Sequence, residues 1–79
     1  MAMKEQTQIE PLATAIQANV EALAELLKQA AQDASEALKY LHANQRNTAI
    51  GTILDLDQLL ADATALHGAA IALHRRVPS

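Results

Sequence analysis

The 79-residue chain contains no cysteine, tryptophan or phenylalanine, and its single aromatic residue is Tyr40. The absence of cysteine excludes disulfide bonds, thiolate metal sites and thiol catalysis, and it is consistent with a reducing, cytoplasmic compartment. A chain this short buries only about 60% of its unfolded surface when it folds alone. With disulfide bonds excluded, association between chains becomes the expected source of additional stability.

Glycine and proline are also scarce, with two residues of each. Hydrophobic residues make up 51% of the chain, and Ala and Leu are the most frequent, with Gln, Glu, Lys and Arg next to them. All of these are strong helix formers. No segment alternates β-branched or aromatic residues with polar ones, as a strand would. The composition therefore predicts an all-α fold.

The chain lacks an excess of positive charge and a long apolar run. Its formal net charge is −3, which argues against nucleic acid as a partner, because phosphate contacts need a basic surface. No apolar run approaches the ~20 residues of a membrane span, and polar residues follow the N-terminus where a signal peptide would be apolar. We expect a complete, soluble small protein without a membrane partner.

The first predicted helix begins between Thr7 and Pro11. Thr7 and Glu10 have the spacing of a capping box, and proline is favoured in a first helical turn because its missing N–H has no partner there. A second capping box at Asp33 would split this helix and give a monomeric three-helix bundle. Because the apolar pattern continues through Asp33 without glycine or proline, one helix over about 8–43 is predicted.

Apolar residues along this helix recur in alternating steps of four and three, which is the spacing of a heptad seam. The residues of this predicted seam are Ile9, Ala13, Ile16, Val20, Leu23, Leu27, Ala30, Ala34, Ala37 and Leu41. The seam is flanked by Leu12, Leu26 and Leu38. Since its first half is bulky and its second half is alanine, we expect the closest helix packing between Ala30 and Ala37.

The polar stretch between the two helical patterns predicts a tight turn over about 44–47. Asn44 is the candidate left-handed C-terminal cap, since asparagine tolerates a positive φ better than any residue except glycine. Asn47 or Thr48 can cap the following helix through a side-chain oxygen. So short a connection makes the two helices antiparallel neighbours.

The second helix is predicted over about 48–76. Its seam consists of Leu56, Leu59, Ala63, Leu66, Ala70, Leu73 and Val77. A second apolar stripe beside this seam consists of Ile50, Ile53, Leu54, Leu60, His67 and Ile71. A helix that is apolar over so wide an arc is expected to be covered on more than one side. Gly68, in the middle of the helix, is expected to permit the close approach of a partner helix.

A single long hairpin buries one seam and leaves its flanking stripes in water. Exposed apolar strips of this extent mark interaction sites on soluble proteins, and a second copy of the chain would complete an antiparallel four-helix bundle. The residues predicted to form the dimer or partner interface are Leu12, Ile16, Leu26, Leu38, Ile50, Ile53, Leu60 and Ile71. The predicted fold is therefore a long antiparallel helical hairpin that dimerises.

The sequence predicts no catalytic group, no metal site and no cofactor. His67 and His74 share a helix face but lie ~10 Å apart along the axis, and neither has a ligand residue three or four positions away. The aspartates Asp55, Asp57 and Asp62 lack the Glu-x-x-His partners of a di-iron bundle. No Gly-x-Ser-x-Gly motif is present. We expect a non-enzymatic protein.

The predicted function is interaction with another protein, as a small adaptor, regulator or inhibitor that acts as a homodimer. Small bacterial and bacteriophage regulators provide the analogy, which rests on size and fold alone. Two alternatives stay open. A helix-turn-helix DNA-binding regulator would read bases with Arg46 and Asn47 at the start of the second helix, and a purely structural oligomerisation module would need only the apolar faces.

Overall fold

The computed structural model describes the backbone of residues 2–77 and the side chains of residues 10–77. Three helices follow one another along this part of the chain: α1, Ala2–His42; α2, Arg46–Ile53; and α3, Leu56–His74. Both α2 and α3 pack against α1. The predicted helical hairpin is confirmed, with α1 as one leg and α2 followed by α3 as the other. The hairpin is a rod with principal extents of 65 × 15 × 14 Å.

Helix α1 is continuous through Asp33, as predicted, but its start differs from the prediction. The helix begins at Ala2, so Pro11 lies inside it and not in its first turn. The residues before Pro11 include strong helix formers such as Lys4 and Glu5, which favour additional turns. Proline lacks an N–H and therefore removes one backbone hydrogen bond from this part of α1. The side chains of Thr7 and Ile9, and the residues after Val77, lie outside the described part of the chain.

The end of α1 confirms Asn44 as the left-handed cap. Asn44 has a φ of 60°. The N–H of Gln45 donates to the carbonyl of Tyr40 at 2.8 Å, and the N–H of Asn44 donates to the carbonyl of Leu41 at 3.0 Å. These two bonds form a Schellman motif, which satisfies carbonyls that would otherwise be left without donors at the helix end.

The start of α2 corrects the predicted cap of the second leg. The N-cap residue is Gln45, without a side-chain capping bond, and Asn47 and Thr48 both lie inside the helix. The turn is therefore shorter than predicted and spans residues 43–45. Gln45 supplies the last N–H of the Schellman motif, and its carbonyl accepts the N–H of Ala49 at 3.0 Å. Gln45 thus takes part in both the end of α1 and the start of α2. No residue remains between the two motifs to act as a separate polar cap.

The predicted single helix over 48–76 is also corrected, because the structure divides it at Leu54 and Asp55. The N–H of Leu54 donates to the carbonyl of Gly51, three residues earlier in the chain, at 3.4 Å. Just before this point the Thr52 hydroxyl donates to the carbonyl of Thr48 at 2.9 Å, a contact that often bends helices. Asp55 follows as the N-cap residue of α3, without a side-chain capping bond. The bond of the Thr52 hydroxyl is the local contact that accompanies this break in the second leg.

The centre of the hairpin is made of alanine. Among the described side chains, the buried hydrophobic residues are Ala37, Ala49, Ala63 and Ala70, and no large side chain is fully buried. The predicted seam of the second leg is confirmed, since Leu56, Leu59, Leu66, Leu73 and Val77 are all half-buried beside those alanines. Ala49 is only 1% exposed and Ala37 only 6%. Both flank the turn, whereas Ala30 is half-buried and Ala34 is exposed, so the closest helix packing between Ala30 and Ala37 stays a prediction.

The predicted seam of α1 is only half right. Ile16, Leu23, Ala30 and Ala37 are half-buried or buried, as expected, but Ala13, Val20, Leu27, Ala34 and Leu41 are exposed. The positions that complete the contact with the second leg are Leu12, Asn19, Leu26, Asp33 and Tyr40, all of them half-buried. The helix is therefore rotated about its axis relative to the prediction.

The two neighbouring rows of α3 differ in composition. One row carries Leu59, Leu66 and Leu73, whereas the next carries Leu60, His67 and His74. Burying the three leucines removes more apolar surface from water than burying the other row would. In α1, Leu12 and Leu26 are half-buried and Leu27 is exposed.

Candidate interaction surface

The rotation of α1 leaves a second heptad pattern on its outer side. Seven apolar residues follow one another in steps of four and three, and every one of them is exposed: Val20, Ala24, Leu27, Ala31, Ala34, Leu38 and Leu41. We call this row the outer seam. Its larger side chains keep about half of their surface in water, at 47% for Val20 and Leu27, 54% for Leu38 and 45% for Leu41. None of the seven carries a charge, so the row has the pattern of a coiled-coil contact without a partner.

The second leg presents apolar residues on the same side of the rod. Leu27 of the outer seam and Leu60 of α3 line one shallow groove, together with Thr64 and His67. Ile71 continues this row of α3 at helical spacing, four residues beyond His67. Leu60 is 50% exposed and Ile71 is 39% exposed. We call the outer seam together with Leu60, His67 and Ile71 the front face.

The structure separates the eight predicted interface residues into two groups. Leu38, Ile50, Leu60 and Ile71 are exposed, whereas Leu12, Ile16, Leu26 and Ile53 are half-buried. The second group is covered in part by the protein's own helices and contributes to the hairpin. The first group remains available to another molecule, and its role in an interface stays a prediction. Leu54, from the predicted second stripe, is the most exposed large hydrophobic residue at 66%.

Polar side chains of the described residues pair along their own helices. The amides of Gln17, Gln29 and Gln58 donate to Glu21, Asp33 and Asp62 at 2.8–2.9 Å, and the Tyr40 hydroxyl donates to Glu36 at 3.3 Å. Each of these pairs is four residues apart on an exposed helix surface. His42, His67 and His74 are exposed. Among the described residues, no three potential ligand side chains come close enough together to hold a metal ion.

The surface of the protein is large for its mass. The accessible surface is 6181 Å², whereas a compact chain of 8.4 kDa is expected to expose about 4,600 Å². The radius of gyration is 18.4 Å, against about 12 Å for a compact domain of this length. The hairpin thus exposes about 1,600 Å² more than a globular chain of equal size, as its elongated shape requires.

Comparison of the chain with protein-family models, with curated proteins and with solved structures found no match. Within the described residues, no helix has the length and apolar character needed to cross a lipid bilayer.

Proposed function

We propose that this protein is a non-enzymatic protein–protein interaction module that acts as a homodimer and presents apolar helix faces to a protein partner, as an adaptor, regulator or inhibitor. The observation that carries this proposal is the outer seam, an uncharged row at heptad spacing that is exposed from Val20 to Leu41. Rows of this kind are the contact surfaces of coiled coils and helical bundles.

The energetics of the hairpin favour a partner. Its interior consists of alanine, and the described chain buries no large side chain completely. Burial of apolar surface supplies about 25 cal/mol per Å², so a core of this composition stabilises the folded state weakly. A standard protein–protein interface buries about 800 Å² on each partner. The large side chains of the front face, about half exposed, provide the apolar part of one such interface.

The homodimer is tested by sedimentation equilibrium over a range from submicromolar to about 100 µM, a span that brackets common dimer dissociation constants. We expect a mass of about 17 kDa, twice that of one chain, at the upper end. A cooperatively folded species of 8.4 kDa at every concentration would contradict the homodimer.

The protein partner is tested by capture from the native host with two charged variants. Ile50→Asp places a carboxylate at an exposed apolar position of the second leg outside the front face, whereas Ala69→Asp places one at an exposed alanine of α3. We expect a protein that the wild type and Ala69→Asp both retain and that Ile50→Asp loses. Equal retention by all three chains would argue against the surface around Ile50 as the binding site of a protein partner. Absence of any specific host protein would favour a purely structural oligomerisation module.

DNA binding is the alternative of a different class. Arg46 and Asn47 are exposed at the start of α2, where a helix-turn-helix protein would contact bases. The net charge of −3 works against this use, because non-specific attraction to phosphates requires a basic surface. Retention on immobilised duplex DNA that decreases steeply between 50 and 200 mM salt, a range over which phosphate contacts weaken strongly, would support it over the present proposal.

A further inference from the structure

We propose that the second copy docks through the outer seam, with α1 lying antiparallel against α1 of the partner and the two-fold axis passing near Ala31. This inference rests on the proposed homodimer and names its contact face, its direction and its centre. The front face could also be covered by stacking α1 on the partner's α3, and the following observations select between these arrangements.

The outer seam has no polar position, whereas the exposed row of α3 has two, and this difference favours contact between the two copies of α1. The outer seam runs over 22 residues, from Val20 to Leu41, without a polar residue at any of its seven positions. The corresponding row of α3 is interrupted by Thr64 and His67. Setting α1 against α3 would place these two polar groups on an apolar seam, and desolvating a polar group without a hydrogen bond costs free energy. The outer seam of a second copy has no such interruption.

The order of large and small side chains favours the antiparallel direction. Leu38 and Leu41 lie at one end of the outer seam, Val20 and Ala24 lie at the other, and Ala31 is near the middle. A parallel pair would set each leucine against itself and each alanine against itself, leaving wide and narrow layers in alternation. An antiparallel pair sets the leucine end of one copy against the smaller end of the other, which fills space evenly.

The available area agrees with this arrangement. At 1.5 Å per residue the outer seam is about 32 Å long. A second copy laid along it would cover the four largest exposed side chains of the seam and bring the rows of Leu60 and Ile71 close to its edge. Stable dimers bury about 800 Å² on each partner, and the four large side chains of the seam, each about half exposed, supply the apolar part of that area together with Leu60 and Ile71.

The absence of cysteine from the chain permits a direct test with single-cysteine variants. In Ala31→Cys the two thiols lie close to the two-fold axis, within reach of the Cα separation of 4.4–6.8 Å that a disulfide requires. In Leu41→Cys they lie about 30 Å apart. Ala22→Cys, which replaces an exposed alanine outside the outer seam, is the matched control for random collision. Mild oxidation followed by non-reducing electrophoresis gives the fraction of covalent dimer.

We expect Ala31→Cys to form covalent dimer at least tenfold faster than Ala22→Cys and Leu41→Cys. We also expect an equimolar mixture of Val20→Cys and Leu41→Cys to form the mixed dimer in preference to either homodimer. Self-linkage of Leu41→Cys at the rate of Ala31→Cys would overturn the antiparallel direction. Equal rates for Ala31→Cys and Ala22→Cys would overturn the outer seam as the contact face.

Sedimentation of the wild type keeps this inference distinct from the proposed function. If the wild type is a dimer and the cross-linking pattern differs from the expected one, only the arrangement proposed for α1 is wrong. If the wild type is a monomer at every concentration, the homodimer and this inference are both overturned.

Discussion

Asn44 ends α1 by adopting a backbone conformation that most residues avoid. Its φ of 60° lies in the left-handed region, which asparagine and glycine enter at little cost and residues such as alanine enter at a cost of about 1 kcal/mol or more. We expect Asn44→Ala to lower the free energy of unfolding by about 1 kcal/mol and Asn44→Gly to leave it unchanged or raise it. Chemical denaturation followed by circular dichroism measures both variants. Equal destabilisation by alanine and glycine would show that the asparagine side chain, and not its φ, is required.

Gly68 lies in the middle of α3 and is exposed. A Cβ added to Gly68 would meet no atom within 4 Å, so no contact within one chain requires glycine there. The close approach of a partner helix over Gly68 stays a prediction. We therefore predict that Gly68→Ala raises the free energy of unfolding by up to about 1 kcal/mol, because alanine favours the helix over glycine. Thermal unfolding at a fixed protein concentration tests this. A lower melting temperature would indicate that a partner helix passes over Gly68.

At the scale of the elements, two pairs of adjacent leucines can test the rotation of α1, because one leucine of each pair is half-buried and the other is exposed. Leu26 is half-buried against the second leg and Leu27 is exposed, while in α3 Leu59 is half-buried and Leu60 is exposed. We predict that Leu26→Asp and Leu59→Asp each destabilise the hairpin by about 2 kcal/mol or more, because a charge enters the helix contact. Leu27→Asp and Leu60→Asp are expected to preserve the helical fold and weaken the dimer.

Two measurements distinguish these outcomes. Circular dichroism reports the helical fold of each variant, and sedimentation reports its association. Unfolding by Leu27→Asp together with tolerance of Leu26→Asp would mean that α1 packs in the orientation first predicted from the sequence. If all four variants unfold, the helical hairpin requires the dimer. Refolding of Leu27→Asp at high protein concentration would then separate loss of association from loss of the fold.

Much of the fold was predictable from local features of the sequence. The structure confirms the predicted helical hairpin, the predicted seam from Leu56 to Val77 and the left-handed cap at Asn44. The rotation of α1 was not predictable from α1 alone, since it carries apolar residues on both sides of the Ile16–Ala37 row. The flank that is half-buried in the structure also carries Asn19 and Asp33, which a pattern of apolar residues does not select. The pattern of the outer seam, in steps of four and three from Val20, was nevertheless present in the sequence.

The division of the second leg at Leu54 and Asp55 was missed for a different reason. The apolar positions continue across this point, and a periodicity argument is insensitive to a single missing backbone bond. The local contact at this point is the bond from the Thr52 hydroxyl back to the carbonyl of Thr48, and Asp55, the N-cap residue of α3, makes no side-chain capping bond. Side chains that hydrogen-bond to nearby backbone groups compete with helix continuation, and the spacing of apolar residues does not reveal them.

At the scale of the whole molecule, the rod shape predicts that stability depends on protein concentration. If the front face is buried only in the dimer, folding and association are linked by mass action. We expect the melting temperature of the wild type to rise by several degrees between 1 and 100 µM. The melting temperature of Leu27→Asp is expected to stay constant over the same range. A constant melting temperature for the wild type would mean that the hairpin gains no stability from association.

The alanine interior of the hairpin has a consequence for the lifetime of the protein in a cell. If the proposed dimer adds to the stability of the hairpin, single chains open more often than assembled chains, and open chains are the substrates of cellular proteases. Chains at a low concentration would then be degraded faster than chains at a concentration that permits assembly. The abundance of the protein would therefore rise more steeply than its rate of synthesis.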